Sequence, residues 1–275
     1  MALAPVPKPL PDDPDHDADQ DELDSDGSGG RMSFLEHLDE LRRRIIYAVV
    51  SLLIGFVIAF AFVGYLFDFV MRPMQEMLPE GQTLIYTNPP EAFVLNIKLA
   101  LIAGLVIASP AILFQVWRFI APGLYVNEKR WAIPFVVLST VCFVVGVAFA
   151  HYVVFPFAWL FFGQFGQNTD IITFMPRIEP TFAMYMRLLL GFGAVFEMPT
   201  LVLFLARMGL LTPGFMWRNF KFFVLLAAIG AAIITPPDVI SQLAMLGPLI
   251  LLYFISIGLA WMFGKRQPKI APYGD

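Results

Sequence analysis

The sequence predicts an all-α membrane protein that crosses the bilayer six times. Of its 275 residues, 58% are hydrophobic and 15% are charged, and the mean hydropathy is +0.71. An ordinary soluble domain has about 25% charged residues, and a soluble globule this apolar would leave large hydrophobic patches in water. The composition therefore argues against a soluble enzyme or a nucleic-acid-binding protein. The single cysteine, Cys142, excludes an intramolecular disulfide.

The first 31 residues differ in composition from the rest of the chain. They contain nine acidic and two basic side chains, a net charge of −7, and almost no large apolar residues. Such a segment cannot bury enough surface to offset the entropy lost on ordering, so we expect a disordered acidic tail. The remaining 244 residues have a net charge of +3. We expect them to form a membrane domain over 32–264 and a short cytoplasmic tail over 265–275.

Six apolar runs define the predicted spans, because crossing about 30 Å of hydrocarbon takes roughly 20 helical residues. The fifth run is short for a full span, so we expect the last two spans to form a thin or tilted hairpin, closed by residues 235–238. We expect Pro156 to end the third span. The predicted spans cover approximately residues 45–65, 94–117, 131–156, 180–206, 220–235 and 240–262.

The basic residues predict the orientation of the spans. With six spans, both termini lie on the same side of the membrane. The segments on that side contain 13 of the 18 lysine and arginine residues. Because basic residues are enriched in cytoplasmic loops, both termini are predicted to be cytoplasmic.

Prolines within or near the ends of the spans predict a bundle of kinked helices. Proline lacks the amide donor of a regular helix and its ring crowds the preceding turn. Kinked helices leave concave surfaces between them more readily than straight ones do. These prolines are Pro110, Pro134, Pro156, Pro199 and Pro248.

The sequence offers no recognisable catalytic or cofactor-binding motif. It has no H-E-x-x-H pattern, no Walker loop, no G-x-S-x-G and no Cys/His cluster. His151 lies in an apolar run, where a packed histidine is the simpler interpretation. We therefore expect neither an enzyme nor a bound cofactor or metal.

Two acidic residues stand on the predicted cytoplasmic side, which is otherwise rich in basic residues. Glu40 precedes the first span, and Glu128 lies in the loop before the third. Local structure can account for each: Glu40 with Arg44 as an i,i+4 pair, and Glu128 in the first turn of a helix. Two carboxylates on one face would also suit a cationic partner, particularly guanidinium groups.

Glu197 is the single charged residue in the apolar run Leu188–Ala206, which forms most of the fourth predicted span. A charged side chain at the bilayer centre costs about 2.5–3.5 kcal/mol on insertion scales, so this carboxyl group must face protein or water, or be protonated. We favour a functional role over a structural one for Glu197. Asp238, by contrast, follows two prolines and is readily explained as a turn residue.

Several segments together resemble the TatC family, the multispanning receptors of the twin-arginine protein translocation system. Their order along the chain and their predicted sides of the membrane agree with that family from about Met32 to Gly264. The segments are Leu38–Arg44, Ser109-Pro110, Gln115–Leu124, Glu128–Arg130, Phe196–Pro199, Leu211–Pro213 and Thr235–Gln242.

The resemblance implies a cup-shaped, six-span fold that binds the signal peptides of folded precursor proteins. Glu40 and Glu128 match the acids that pair with the two signal arginines, and Arg42 and Phe119 match neighbouring positions. Glu197 matches the family's intramembrane glutamate.

The resemblance also implies partners and a source of energy. Thr235, Asp238 and Gln242 lie in the region that matches the docking site of the single-span partners TatA and TatB. Transport would then occur within an oligomeric complex in the bacterial cytoplasmic membrane. It would be driven by the proton-motive force, without nucleotide hydrolysis.

From the residues alone, two other interpretations stay open. A proton-coupled secondary transporter would use Glu197 as its relay, since isolated intramembrane acids are frequent in transporters. The absence of an evident internal repeat weakens that interpretation. A purely structural scaffold fits Glu40 and Glu128 least well.

Overall fold

The computed structural model describes residues 34–76, 78, 84–120, 132–165, 175–234 and 239–264, and over these residues the protein is helical. The predicted tails, 1–31 and 265–275, lie outside the described residues. The helices are α1 (Phe34–Ala61), α2 (Val63–Glu76), α3 (Glu91–Ile120), α4 (Ala132–Phe149), a π-helical turn (Ala150–Val154), α5 (Phe155–Phe165), α6 (Ile178–Val195), α7 (Met198–Arg207), α8 (Pro213–Arg218), α9 (Phe220–Ile234) and α10 (Val239–Phe263).

The predicted fold class is confirmed over the described part of the chain. Five helical segments are long and apolar enough to cross a membrane, and α9 is a shorter apolar helix. The five segments are Glu36–Ala61, Glu91–Ile120, Ile133–Gly163, Ile178–Arg207 and Met245–Phe263.

The chain divides into two compact units, residues 1–43 and residues 44–275. The described part of the first unit is the amino-terminal portion of α1. There Glu36, His37, Leu38 and Asp39 are exposed, and Glu40 is half-buried. Every contact described below lies within the second unit.

A glycine pair sets the close antiparallel packing of α1 against α3. A Cβ atom added to Gly55 would overlap the carbonyl oxygen of Gly104, so neither position has room for a larger residue. Eleven residues away along each helix, Arg44 Nη1 donates a hydrogen bond to Gln115 Oε1 at 3.2 Å. Both contacts have the same register, because positions 44 and 55 of α1 pair with positions 115 and 104 of α3.

Ser109 explains why α3 continues through Pro110. A proline at position 110 cannot donate to the carbonyl oxygen of Val106, four residues earlier. The Ser109 hydroxyl donates to that oxygen at 2.8 Å. Because an unpaired carbonyl is costly in hydrocarbon, this hydrogen bond lets the helix stay intact across the membrane.

The prediction that Pro156 ends the third span is wrong. The helix passes through a π-helical turn at Ala150–Val154 and continues as α5 to Phe165. In a regular helix the ring of Pro156 would crowd the carbonyl group of Tyr152. The wider π-helical turn directly before the proline relieves that crowding, as π-bulges do in other helices.

The core of the second unit is built around α4, α6 and α10. Helix α4 packs against α3 and α6, while α10 packs against α7 and α9. Large aromatic side chains fill the space between them, and a second aromatic group joins α3, α4 and α7. The first group includes Phe155, Phe182, Tyr185 and Phe192, and the second consists of Trp117, Phe135 and Phe204.

Candidate functional site

The candidate signal-binding residues fall in two described helices and one segment outside the description. Glu40 and Arg42 lie in α1, where Glu40 is half-buried and Arg42 is exposed. Phe119 is half-buried in the last turn of α3. Glu128 lies outside the described residues.

The candidate docking region is described only at its end. Gln242, in α10, donates from Nε2 to the carbonyl oxygen of Ala228 in α9 at 2.9 Å. This hydrogen bond links α9 to α10. Thr235 and Asp238 lie outside the described residues.

Glu197 lies at a break in its span, between α6 and α7. Pro199 lacks the amide that would donate to the carbonyl oxygen of Val195, and α6 ends at Val195. The backbone of Glu197 stays near the helical region, with φ −71° and ψ −15°, and α7 begins at the next residue. The span therefore consists of two helical segments with an acidic residue at their junction.

Polar side chains from α4 and α7 meet at this junction. The Ser139 hydroxyl, which is fully buried, donates a hydrogen bond to Glu197 Oε2. Cys142 lies one turn along α4, near both Glu197 and the hydroxyl of Thr200. Ser139 and Cys142 are three residues apart in α4, and Glu197 precedes α7 three residues before Thr200. Each pair therefore shares one face, because residues i and i+3 lie on the same side of a helical turn.

The second oxygen of the Glu197 carboxyl group has no such partner. Oε1 is buried and accepts no hydrogen bond from any residue that the structure describes. A buried acceptor without a donor is costly, so this atom is available to a water molecule or to a polar group from a partner. The arrangement can bind a hydrogen-bond donor within the membrane.

Tight packing holds the junction in place. A Cβ atom on Gly146 of α4 would lie 2.6 Å from the carbonyl oxygen of Phe192 and 2.7 Å from Cβ of Phe196. Since real Cβ atoms do not approach other atoms so closely, only glycine allows α4 to contact α6 here. The backbone beside Glu197 is therefore fixed by helix packing.

Glu91 is a polar site that the sequence analysis missed. Its side chain is only 5% exposed and accepts hydrogen bonds from the backbone amides and the side chains of Thr87 and Asn88. Arg177, from the segment before α6, donates to Glu91 Oε1 at 3.2 Å. A signal was present: Asn88 three residues before Glu91, directly before an apolar run, is typical of a capping box.

Backbone hydrogen bonds reinforce the same connection. The amide of Ile85 donates to the carbonyl oxygen of Pro176 at 3.2 Å, and the amide of Ile178 donates to the carbonyl oxygen of Ile85 at 2.9 Å. The segments before α3 and α6 are thus joined by main chain and side chain together. We call this set of contacts the Glu91–Arg177 clasp.

His151 is buried and packed, as its apolar surroundings predict. Its Nδ1 atom lies 3.0 Å from the Tyr185 hydroxyl, and its ring stacks on Phe69 with the centroids 4.5 Å apart. The described residues contain no group of three or more metal-binding side chains.

The chain matches a known protein family. The family model described as Sec-independent protein translocase protein (TatC) matches residues 36–248, most of the chain. The chain belongs to the TatC family. This membership makes it a component of a protein translocase that works with other Tat subunits, and a transport protein rather than an enzyme.

Individual TatC proteins are similar over most of their length. The protein from Desulforapulum autotrophicum is 42% identical over 85% of this chain and 86% of its own length. The TatC protein from Koribacter versatilis is 43% identical over 86% of this chain and 88% of its own length. The TatC protein from Aquifex aeolicus is 38% identical over 87% of this chain and 99% of its own length.

Two solved structures share the fold. A crystal structure of the twin-arginine translocase receptor TatC has a TM-score of 0.74 and 39% identity, and it covers 82% of this chain and 99% of the solved one. A second, in DDM, has a TM-score of 0.75 and 40% identity over the same shares. With the apolar helices, this likeness shows a multi-pass membrane protein of the TatC type.

Proposed function

We propose that the chain is the receptor subunit of a twin-arginine translocase and binds the signal peptides of folded precursor proteins. The observation that carries this proposal is the likeness to the crystallised twin-arginine translocase receptor, at about 40% identity over 82% of the chain. The secondary-transporter interpretation loses its support, because a TatC protein is part of a protein translocase.

In this proposal the carboxylates of Glu40 and Glu128 bind the two arginines of the signal. A guanidinium group can donate two parallel hydrogen bonds to one carboxylate, whereas a lysine ammonium group cannot form that planar pair. Arg42 and Phe119 contribute to the surroundings of the site. The exposed guanidinium of Arg42 and the half-buried ring of Phe119 are suited to contacts with a peptide.

Glu197 has a different role in the proposed mechanism. Its free carboxyl oxygen offers an acceptor at the middle of a span, where lipid offers none. We propose that it admits water or a polar group of a partner into the bundle during transport. The support is the broken helix and the unpartnered Oε1 atom, which a purely structural carboxyl group would not need.

The proposed partners are the single-span subunits TatA and TatB, docking at the segment that contains Thr235, Asp238 and Gln242. We place the oligomeric complex in the bacterial cytoplasmic membrane, with both termini of this chain in the cytoplasm. The excess of basic residues on the side of the termini supports this orientation. The proton-motive force drives transport, in keeping with a sequence that has no nucleotide-binding motif.

Binding of a fluorescent twin-arginine signal peptide to the purified chain tests the proposal. Glu40→Gln and Glu128→Gln should each raise the Kd about tenfold or more, since each removes a charge-assisted pair. Asp39→Asn is the matched control, because it removes an exposed carboxylate one residue away on a different face of α1. Unchanged affinity in both glutamine variants would overturn the proposed site.

A further inference from the structure

We propose that the surface between α3 and α6 holds a phospholipid, with its phosphate at Lys98 and one acyl chain in an adjoining apolar groove. A cavity of about 350 Å³ lies at the amino-terminal ends of these helices. Its charged and polar lining residues include Asn88, Glu91, Lys98 and Glu179. We call it the headgroup cavity.

Lys98 is the residue in this cavity that would bind an anionic ligand. It lies seven residues after the start of α3, about 10 Å along the helix axis, and is half-buried. It forms no hydrogen bond or ion pair with any side chain in the described part of the chain. The nearby Glu91 carboxylate already accepts from Arg177 and four other donors.

A second cavity continues from the first towards the middle of the membrane. Phe182 and Met186 line both cavities, so the two adjoin. The second has a volume of about 360 Å³ and apolar walls from α2, α3, α4 and α6. Its polar residues include His151 and Tyr185, which bond to each other. We call it the acyl groove.

Together the two cavities match the chemistry of a phospholipid. A phosphate needs a cation at the depth of the headgroup region, and a long lysine side chain can extend its ammonium group to that level. Glu179, exposed at the same cavity, suits an ammonium group on the same headgroup. Each cavity has the size of an ordinary ligand site, about 300–1,000 Å³.

Photolabelling tests this site on the full chain. The protein is reconstituted into vesicles of phosphatidylethanolamine and phosphatidylglycerol that contain a phosphatidylethanolamine with a diazirine at the end of one acyl chain. After irradiation, labelled peptides are identified by mass spectrometry. We expect labels concentrated on the groove-lining residues of α3 and α4, including Ile102, Val106 and Val147.

Two pairs of variants separate a specific site from general contact with lipid. Lys98→Gln should lower labelling of the groove about tenfold, as loss of a charge-assisted hydrogen bond predicts. Arg187→Gln, the control, changes an exposed arginine that lines a different cavity. Ala103→Trp should fill the groove and remove the label, whereas Ala111→Trp, at an exposed position of the same helix, should not.

Two patterns of labelling in the absence of a competitor would overturn the proposal. One is equal labelling of the groove in the wild type and in a folded Lys98→Gln variant. The other is labelling of α1 as strong as that of the groove, since that pattern indicates only bulk lipid around the helices. Added glycerol phosphate should not displace the lipid label. Displacement by this soluble compound would show a phosphate site that needs no acyl chain, and would also contradict the proposal.

Discussion

Glu91 and Glu197 are both acidic side chains in the helical bundle, and their surroundings are opposite. Glu91, at the start of α3, accepts hydrogen bonds from Thr87, Asn88 and Arg177 and leaves no role for a further ligand. Glu197, in the middle of a span, accepts from Ser139 at one oxygen while the other stays without a donor among the described residues. The contrast separates an acid that stabilises the fold from one that is available to a partner.

The backbone structure around Glu91 also differs from that around Glu197. Glu91 begins a continuous helix and is held by residues that immediately precede it. Glu197 lies where Pro199 breaks a helix, and its position depends on the packing of neighbouring helices. Substitution should therefore affect stability at the first site and transport at the second.

Glu91→Ala should have the largest effect on stability. The substitution removes the buried carboxylate that accepts hydrogen bonds from five donors, including the Arg177 guanidinium. It therefore breaks the side-chain link between the segments before α3 and α6. We expect the Tm of the detergent-purified protein to fall by several degrees Celsius, more than for either variant below. Glu179→Ala, at an exposed acid on α6, is the control and should leave the Tm unchanged. An unchanged Tm for Glu91→Ala would show that the clasp does not stabilise the fold.

Gly146→Ala should have the next largest effect. The added methyl group would collide with the backbone of Phe192 and with Phe196, which leads directly to Glu197. Overpacking of this kind costs about 1–3 kcal/mol, so thermal unfolding should shift to lower temperature. Gly163→Ala is a matched control, because a Cβ atom there meets no other atom within 4 Å. If both alanine variants unfold at the same temperature as the wild type, the junction is not fixed by this contact.

Glu197→Leu should have the smallest effect on stability and a large effect on transport. Removing a carboxyl group with one unpartnered oxygen should change the free energy of unfolding by less than about 1 kcal/mol, or raise it. Export of a folded twin-arginine precursor should nevertheless be lost in cells that depend on the variant. A strongly destabilised protein, or wild-type export, would contradict the contrast between Glu91 and Glu197.

The fold class could be predicted from the sequence because most of the apolar runs are long enough to cross a membrane as helices. The isolated charge at Glu197 was visible for the same reason, since any acid stands out within an uncharged stretch. Its partner Ser139 was not predictable, because the two residues are 58 positions apart and meet only through the packing of α4 against the break. The π-helical turn that carries the chain past Pro156 likewise depends on local geometry that composition does not encode.

The Glu91–Arg177 clasp shows the same limit from another side. The contacts between Asn88 and Glu91 could be predicted, because the two residues have the spacing of a helix cap. The contact with Arg177 could not be predicted, because this residue follows 86 positions after Glu91 and nothing in the sequence around it indicates a partner. Local capping and hydrophobic patterning can be predicted from one sequence, whereas side-chain pairs between distant segments require the folded structure.

Site-specific photo-crosslinking from the segment that contains Glu128 tests the central claim most directly. A photoreactive residue at Val126 would be irradiated with a synthetic signal peptide that contains either Arg-Arg or Lys-Lys. We expect a crosslink with the Arg-Arg peptide that falls sharply with Lys-Lys, because lysine cannot form the paired hydrogen bonds of a guanidinium group. Equal crosslinking of the two peptides, or none with either, would contradict twin-arginine recognition by this chain.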